Sequence, residues 1–278
     1  WQAACGRFAL RALEAWAAAR AGAVITNSEG MRRRLHDGGV AACKITVVPD
    51  ALDLARYAPS AGGDMGLVDG GALIGVSIGM AASESCFQLM LAALALLRKR
   101  WTGARLLVAC DARQLAALRA LAMRRALAGQ VTALLRAGAR EADNGAVAAA
   151  GDWQAMVSAA PTAQLHRLAD IVVFPQAAMQ AVAAPPHKLL EAMARGCVIA
   201  AADTPAHRSL IEHGRSGLLF SAGDAAALAD ALDVLLRGRA GWPAMAAGAR
   251  WFIEYQRSWE VCAARYVPVY EGLLARRR

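Results

Sequence analysis

The feature that most limits the fold of this chain is an alternation of short apolar runs with longer segments of helical period. The apolar runs have the length of buried strands, and we predict them at Ala23–Thr26, Lys44–Val48, Ala72–Ile78, Ala104–Cys110, Val131–Leu135, Ile171–Phe174, Val198–Ala201 and Gly217–Phe220. Strands separated by helices imply right-handed crossovers and a parallel sheet covered on both faces. The alternation from residue 72 onward therefore predicts a doubly wound α/β domain.

Helical periods occupy most of the remaining chain. They predict helices at Ala3–Arg20, from an N-cap at Ser28 to His36, and at Phe87–Arg100, Arg113–Arg125, His187–Arg195, Asp224–Arg237, Trp242–Tyr255 and Ser258–Ala275. The stretch Pro49–Gly71 is rich in Pro, Gly and Asp, which is typical of a linker, and we place a domain boundary there. The segment Arg136–Ala159 has no clear period and fits neither a strand nor a helix.

Composition excludes two broad classes of protein. Hydrophobic residues make up 57% of the chain and charged residues 19%, so the chain has enough apolar surface to form a core and is not intrinsically disordered. The mean hydropathy of +0.32 is high. However, the longest uncharged stretch, Ile171–Pro186, is interrupted by Pro175 and ends in two prolines. A bilayer span needs about 20 continuous apolar residues, so we predict none.

The charge balance favours anionic partners. The chain carries 31 Lys and Arg against 22 Asp and Glu, a net charge of +9. Its basic clusters, such as Arg32–Arg34, lack the aromatic residues and motifs of nucleic-acid binding, so we predict no nucleic-acid partner. They are either solvated helix faces or a contact with an anionic membrane surface. The six cysteines are far apart without zinc-ligand spacing, which predicts buried free thiols in a reducing compartment and no metal site.

Two predicted loops follow strands where such sheets bind ligands. The first, Gly75–Cys86, is either a phosphate-binding loop or an ordinary turn between a strand and a helix, since it lacks dinucleotide or Walker A spacing. The second leads into a helix whose first turn carries His187 and Lys188, with Glu191 one turn further on. Lys188 and Glu191 share a helical face. They are either a surface ion pair or a site for a ligand phosphate and a sugar diol.

Three blocks of this sequence resemble the retaining glycosyltransferases of family 4. The block from His187 to Leu232, HKLLEAMARG through ALADAL, is similar to the donor-binding half of that family. The blocks AVITNSEGMRRRL and KITVVPDALDLARYAP resemble the end of its first domain and its interdomain linker. The sequence from His207 to Phe220, HRSLIEHGRSGLLF, further resembles that of bacterial enzymes of exopolysaccharide and surface-glycan synthesis.

The resemblance implies a GT-B fold, with Rossmann-like domains and a doubly wound parallel sheet. Residues 1–48 would be the end of the N-terminal acceptor domain, 49–71 the linker, 72–257 the donor-binding domain, and 258–278 a C-terminal helix that crosses back to the first domain. The chain would then be an N-terminally truncated fragment of such an enzyme. The aromatic residues of the last helix would either cover the first domain or pack on the second.

The resemblance also implies an activity. Such an enzyme transfers a sugar from a UDP- or GDP-linked donor to a glycan or lipid-linked acceptor with retention of configuration. It does so without a cofactor or a bound metal. We expect it in the cytoplasm, peripheral to the inner membrane, where lipid-linked acceptors are presented.

The resemblance assigns donor-binding roles to four residues, and the charge of Arg208 makes it a fifth candidate. Glu191 matches the second Glu of the E-x7-E motif, which contacts the donor ribose. Lys188 and the amides near His187 would face the diphosphate, and Gly79 matches the glycine of the family's phosphate loop. Arg208 is a basic residue that could replace the cations missing from that loop. Catalytic residues remain unassigned.

The sequence also departs from the family pattern. The loop Arg and Lys are replaced by Met80 and Ser85, and the first Glu of E-x7-E by Ala183. Each missing charged contact is worth about 1.5 to 3 kcal/mol. The alternative interpretation is therefore a degenerate, non-catalytic GT-B module for binding or assembly. A GT-B sugar-nucleotide epimerase would need its own acid and base groups, which we do not find in the sequence.

Overall fold

The computed structural model describes residues 13–57, 72–77, 84–136, 154–158, 161–175 and 187–275, in a small and a large lobe. The small lobe contains helix α1 (13–20), strand β1 (Val24–Thr26), helix α2 (Glu29–Asp37) and strand β2 (Ile45–Val47). The two strands pair in parallel. Ser28 caps α2 as predicted, because its hydroxyl accepts a hydrogen bond from the Met31 amide at 3.2 Å.

The large lobe is built on one sheet of seven parallel strands. They are β3 (Ala72–Ser77), β4 (Ala104–Cys110), β5 (Val131–Arg136), β6 (Gln154–Ser158), β7 (Ile171–Phe174), β8 (Val198–Ala202) and β9 (Leu218–Phe220). The strand order is β6-β5-β4-β3-β7-β8-β9. The order reverses between β3 and β7, so the predicted doubly wound sheet is confirmed, with its switch point between these two strands.

Helices cover both faces of this sheet. Helices α3 (Glu84–Leu97), α4 (Ala112–Arg124) and α8 (Ala225–Arg237) enclose one core, and α5 (Pro161–Leu168), α6 (His187–Ala194) and α9 (Trp242–Gln256) enclose the other. Neighbouring strand residues alternate between the two cores: Ile74 enters the first and Leu73 the second. Burial on both faces explains why these strands are continuous apolar runs.

Short helices complete the large lobe. Helix α7 (Pro205–Arg208) follows β8, and α10 (Trp259–Ala264) and α11 (Val267–Ala275) end the described chain. The single helix predicted for Ser258–Ala275 is wrong, since it divides at Arg265–Tyr266. Pro268 has no amide hydrogen to continue a preceding helix, but it is tolerated in the first turn of a new one.

The prediction for Arg136–Ala159 is also wrong in its last part. Gln154–Ser158 forms the edge strand β6, which pairs with β5 from Thr132 opposite Gln154 to Arg136 opposite Ser158. Residues 137–153 and 159–160 lie outside the described residues. The sequence QAMVS carries too few apolar residues to identify a strand, and it becomes one because β5 offers a complete hydrogen-bonding edge.

The described part of the linker, residues 49–57, contacts the large lobe. The Leu52 amide donates to the Arg257 carbonyl at 2.8 Å, and Leu52 is buried in the core that α6 and α9 enclose. Asp53 caps a short 3-10 helix, Leu54–Arg56, through the Ala55 amide. The rest of the predicted linker, residues 58–71, lies outside the described residues.

The last helices lie beside the small lobe. A Cβ atom built on Gly22 would be 2.8 Å from Leu273 Cδ2 of α11, which places α11 against the turn before β1. Trp259 and Tyr266 line a cavity together with residues from the ends of β1 and β2. Within the described part of the chain, no helix has the length and hydropathy needed to cross a bilayer.

The described cysteines differ in their exposure. Cys110, Cys197 and Cys262 are buried free thiols, as predicted. Cys43, in the small lobe, is exposed, so the prediction of burial is wrong for that thiol. Burial raises the pKa of the Cys197 thiol to about 12, which keeps it protonated.

Candidate functional site

The two candidate loops leave the sheet at its switch point. The first follows the end of β3 and enters α3, and the second follows the end of β7 and enters α6. Parallel strands adjacent at a switch point open a crevice between their outgoing loops, where doubly wound proteins bind ligands. Gly79, Met80 and Ala183 lie outside the described residues, and so do the loop sections 78–83 and 176–186.

Gly75 has a packing role inside the sheet. A Cβ atom on Gly75 would be 2.5 Å from the Cβ of Ala169 and 2.8 Å from Leu165 Cδ2. These residues belong to α5 and the turn that follows it, which pack directly on β3. The small residue at position 75 is therefore required by the contact between α5 and the sheet.

Helix α6 carries three of the five predicted site residues. His187 is its first residue, Lys188 follows, and Glu191 lies one turn later. Glu191 Oε1 is 3.6 Å from His187 Nε2, and its Oε2 is 3.8 Å from Arg195 Nη1. The side chain of Glu191 is 22% exposed, so it is largely covered by the protein but still reached by solvent. The structure thus brings His187, Lys188 and Glu191 together at the start of a helix that faces the switch point.

Lys188 is half-buried beside Glu191. Burial lowers the pKa of the Lys188 ammonium, and the Glu191 carboxylate opposes that shift. An ammonium that has lost part of its hydration gains more from an anionic ligand than a fully hydrated one does. The amino end of α6 also carries the positive end of the helix dipole. This end of α6 is therefore suited to an anionic group.

Arg208 lies in a different environment from the three α6 residues. It is at the end of α7, and its guanidinium forms two hydrogen bonds to the carboxylate of Asp203, one of them 2.7 Å long. It lines a cavity of about 280 Å³ together with Glu212, Arg215 and Trp251. His187 lines another cavity instead, so the structure does not bring Arg208 to the α6 cluster in the same cavity.

That other cavity lies where the small lobe meets the large one. It has a volume of about 410 Å³ and is lined by Ile25, Thr26, Asn27, Val48, Pro49, Asp50, Ala51, His187, Trp259, Cys262 and Tyr266. Its polar wall includes a pair formed by Asn27 Nδ2 and Asp50 Oδ2, 3.2 Å apart. The sequence analysis missed Asn27 and Asp50. Both follow parallel strands closely at their carboxyl ends, which is the signal that could have identified them.

The sequence analysis also missed the groups behind Glu191. His166, an isolated histidine expected at the surface or at a helix end, lies in the last turn of α5 and is fully buried. Burial, together with the charges of Arg195 and Lys188, lowers the pKa of His166 to about 3. Burial raises the pKa of Tyr57, and the Glu191 carboxylate adds to that rise. Arg195 and Tyr57 thus lie close to Glu191, and His166 contacts Arg195.

No metal centre is found within the described ranges. No group of three or more His, Cys, Asp and Glu side chains there is placed to hold a metal ion. The cationic side chains near Glu191 are Lys188 in the first turn of α6 and Arg195, which directly follows the last residue of the helix.

This is the GT-B type of α/β protein: a doubly wound large lobe, a small lobe with the parallel strands β1 and β2, and a cavity where they meet. Solved structures have the same fold. The sucrose-phosphate synthase of Thermosynechococcus elongatus superposes with a TM-score of 0.71 at 19% identity, covering 95% of this chain and 61% of that one. HepE of Anabaena, solved in complex with UDP-glucose, gives 0.68 at 16% identity, covering 95% of this chain and 67% of that one. At these identities the likeness establishes the fold.

The family follows from sequence. Residues 74–238 match the model of the glycosyl transferases group 1, and residues 5–56 match that of glycosyltransferase family 4. Because the first match covers more than half of the 278 residues, the chain belongs to the glycosyl transferases group 1. A phosphatidyl-myo-inositol mannosyltransferase of Mycobacterium leprae is 44% identical over 86 residues, 30% of this chain and 22% of that protein. The chain thus spans less than two thirds of the first relatives that it matches.

Proposed function

We propose that this chain carries the donor site of a retaining glycosyltransferase, which transfers a sugar from a nucleoside-diphosphate sugar to a glycan or lipid-linked acceptor. Membership of the glycosyl transferases group 1 supports the reaction class. The observation that carries the donor site is the arrangement of α6, in which Glu191 lies one turn beyond His187 and Lys188 at the switch point. In this proposal Glu191 accepts hydrogen bonds from the ribose diol. Lys188 and the first amides of α6 face the diphosphate, and Gly79 is assigned to the same diphosphate by the family resemblance.

The chemistry of the site suits this division of roles. A leaving diphosphate gains negative charge as the bond to the sugar breaks, and fixed positive groups lower the energy of that transition state. Lys188 and the amino end of α6 supply such groups on a rigid helix. A carboxylate is an acceptor without donors, so Glu191 favours a ligand with two neighbouring hydroxyl groups.

The acceptor side of the proposal rests on fewer observations. The mannosyltransferase relative acts, by its name, on a phosphatidylinositol, which supports a lipid-linked acceptor. Such an acceptor implies a cytoplasmic protein in peripheral contact with the inner membrane, and a role in bacterial exopolysaccharide or surface-glycan synthesis would fit it. However, two arginines of the basic cluster 32–34 are already paired, Arg32 with Glu29 and Arg34 with Glu14. These pairs leave Arg33 as the cluster residue to test with anionic vesicles.

A nucleotide screen by thermal unfolding tests the donor site. A nucleotide that binds only the folded chain raises its Tm by mass action. We expect UDP or GDP, and the matching sugar conjugates, to raise Tm in a concentration-dependent way in the wild type and in Asp230→Asn. Asp230 is a suitable control carboxylate because it pairs with Arg100. Arg100 lies between α3 and the start of β4, at the amino ends of the strands and away from the proposed site.

The variant Glu191→Gln keeps the size and the helix propensity of the side chain but removes its charge. We expect it to unfold at the wild-type temperature without nucleotide and to lose most of the shift produced by nucleotide. A folded wild-type chain that shows no shift with any of these nucleotides contradicts the donor site.

A second candidate function is a GT-B module that binds or assembles without catalysis. One structural observation favours it: Arg208, which could replace a missing phosphate-loop cation, is engaged by Asp203. Ser85, at the position of the family's loop lysine, is exposed and carries no charge. Detection of sugar transfer from a UDP- or GDP-sugar by the full-length protein would exclude this alternative. Nucleotide binding without transfer or donor hydrolysis would support it.

A further inference from the structure

We propose that Arg195 is a positioning residue for Glu191 and that Tyr57 of the linker holds Arg195 in place. The orientation of the nucleotide-binding carboxylate would then depend on the segment that joins the two lobes. This inference rests on the proposed role of Glu191. It is carried by the juxtaposition of a linker aromatic ring, a guanidinium and a carboxylate in one partly buried cluster.

Arg195 contacts groups on three sides. Its Nη1 is 3.8 Å from Glu191 Oε2 and 3.4 Å from the Glu191 carbonyl oxygen. The same nitrogen is 3.4 Å from Nδ1 of the buried His166. Its Cζ lies 4.6 Å from the centre of the Tyr57 ring. The Arg195 side chain is only 15% exposed, so these contacts leave it little freedom to adopt other rotamers.

The distances to Glu191 suit a site that must still bind a ligand. Hydrogen bonds from nitrogen to oxygen are about 2.7 to 3.2 Å long, and both His187 and Arg195 stand further than that from the carboxylate oxygens. The charge of Arg195 can orient the carboxylate without using its acceptor positions. Toward these two described neighbours, both oxygens of Glu191 therefore remain able to accept hydrogen bonds from ligand hydroxyls.

Tyr57 is itself fixed against α6. Arg250 of α9 donates from Nη1 to the Tyr57 carbonyl oxygen at 3.0 Å and, from the same nitrogen, to the carbonyl oxygen of Ala194. Ala194 is the last residue of α6 and directly precedes Arg195. The Arg250 guanidinium thus joins Tyr57 of the linker to the end of the helix that carries Glu191. The Tyr57 ring is held over Arg195 as a result.

This chain of contacts predicts a specific coupling. A guanidinium over an aromatic face is attracted by the negative charge density of the ring, a contribution that an aliphatic side chain cannot supply. Replacement of the ring by an aliphatic side chain should release Arg195 and, through it, the orientation of Glu191. Loss of the Tyr57 ring should weaken recognition of the ligand hydroxyls by Glu191 and leave the other contacts of the nucleotide unchanged.

The first experiment observes the cluster in the nucleotide-free protein. In arginine-¹⁵N-labelled chain, we expect the Nε–H resonance of Arg195 to be displaced by the ring current of Tyr57. Tyr57→Phe should keep the displacement, whereas Tyr57→Leu should remove it and Glu191→Gln should alter it. A resonance that is the same in the wild type, Tyr57→Leu and Glu191→Gln would overturn the inference whether or not a nucleotide binds.

The second experiment measures hydroxyl recognition. We compare the affinities for UDP and 2′-deoxy-UDP, or for the guanine pair if GDP is the ligand. The wild type should prefer the ribonucleotide by at least about tenfold, the value of a hydrogen bond to a charged acceptor. In Arg195→Met and Tyr57→Leu this preference should fall below about threefold, with the 2′-deoxynucleotide affinity unchanged. Tyr57→Phe should keep it, and so should the control Arg215→Met, which loses an exposed ion pair with Glu212.

Two outcomes of the second experiment contradict the inference. The preference could survive in Arg195→Met, or the affinities for both nucleotides could fall by the same factor, which indicates general damage to the fold. Failure of the proposed function is a distinct result, because Glu191→Gln would then bind the ribonucleotide as tightly as the wild type does.

Discussion

Gly75 of β3 lies directly against Ala169, close enough that a methyl group at position 75 would stand 2.5 Å from the Ala169 Cβ. The contact sets the distance between α5 and the sheet, and α5 carries the buried His166 that supports Arg195. Gly75, which the sequence analysis placed at the start of a candidate phosphate-binding loop, therefore lies within β3 and acts through packing.

Gly75→Ala should destabilise the fold by about 1 to 3 kcal/mol, because inserting a methyl group into a close-packed site forces the neighbouring backbone apart. Denaturant unfolding, monitored by circular dichroism, measures the change. Gly241→Ala is the matched control, since nothing lies within 4 Å of its Cβ position and its φ is −85°. Equal stabilities for the two variants would show that α5 does not pack on β3 as described.

The stability of the chain should fall in acid because of its buried histidines. The pKa of His166 is about 3 in the folded state against 6.5 for the free side chain, and the pKa of His207 is also lowered by burial. The unfolded chain therefore binds protons below pH 6.5 that the folded chain does not, so stability is full above that pH and declines toward pH 3. His166 contributes a slope of about 1.4 kcal/mol per pH unit in this window, and His207 adds to the slope between pH 6.5 and its own lowered pKa.

Urea unfolding between pH 7 and pH 4 tests this pH dependence. His166→Gln should reduce the dependence of the unfolding free energy on pH by the contribution of one histidine. His207→Gln should reduce it independently. A slope in His166→Gln equal to that of the wild type would mean that His166 is protonated in the folded protein.

Arg250 should hold the linker to the large lobe. Arg250→Met removes two hydrogen bonds from a charged donor, to the carbonyls of Tyr57 and Ala194, and should cost about 1.5 to 3 kcal/mol. Hydrogen exchange should increase at the amides of residues 52–57 more than elsewhere. Arg215→Met, which loses an exposed ion pair with Glu212, is the control and should leave these amides protected. Unchanged protection in Arg250→Met would contradict the proposed attachment.

The sheet could be predicted from sequence because its strands are buried on both faces. Eight of the nine described strands were predicted as apolar runs to within one residue at each end, and Ala104–Cys110 and Ile171–Phe174 agree at both ends. The helix of residues 187–194 was also predictable, because Gly196 adopts the positive φ of +71° that ends such helices. Edge strand β6 was not, since its pairing with β5 is a tertiary interaction that a short sequence does not encode.

The candidate site likewise contains residues that the local sequence predicts and residues that only tertiary contacts bring together. His187, Lys188 and Glu191 share a helical face, which periodicity alone places together. The association of Tyr57 and His166 with Arg195 joins segments that are distant in the chain, and no local pattern reports such a contact. The Asn27 and Asp50 pair is intermediate, because each residue follows a strand but their contact depends on the pairing of β1 with β2.

The most direct test of the donor site is calorimetric titration of the wild type and Glu191→Gln with UDP and GDP, with Asp230→Asn as control. The account predicts that one of the two nucleotides binds the wild type and the control alike, and that Glu191→Gln weakens its affinity by at least about tenfold. Equal affinities in the wild type and Glu191→Gln would contradict the assignment of Glu191, and with it the donor site at the start of α6.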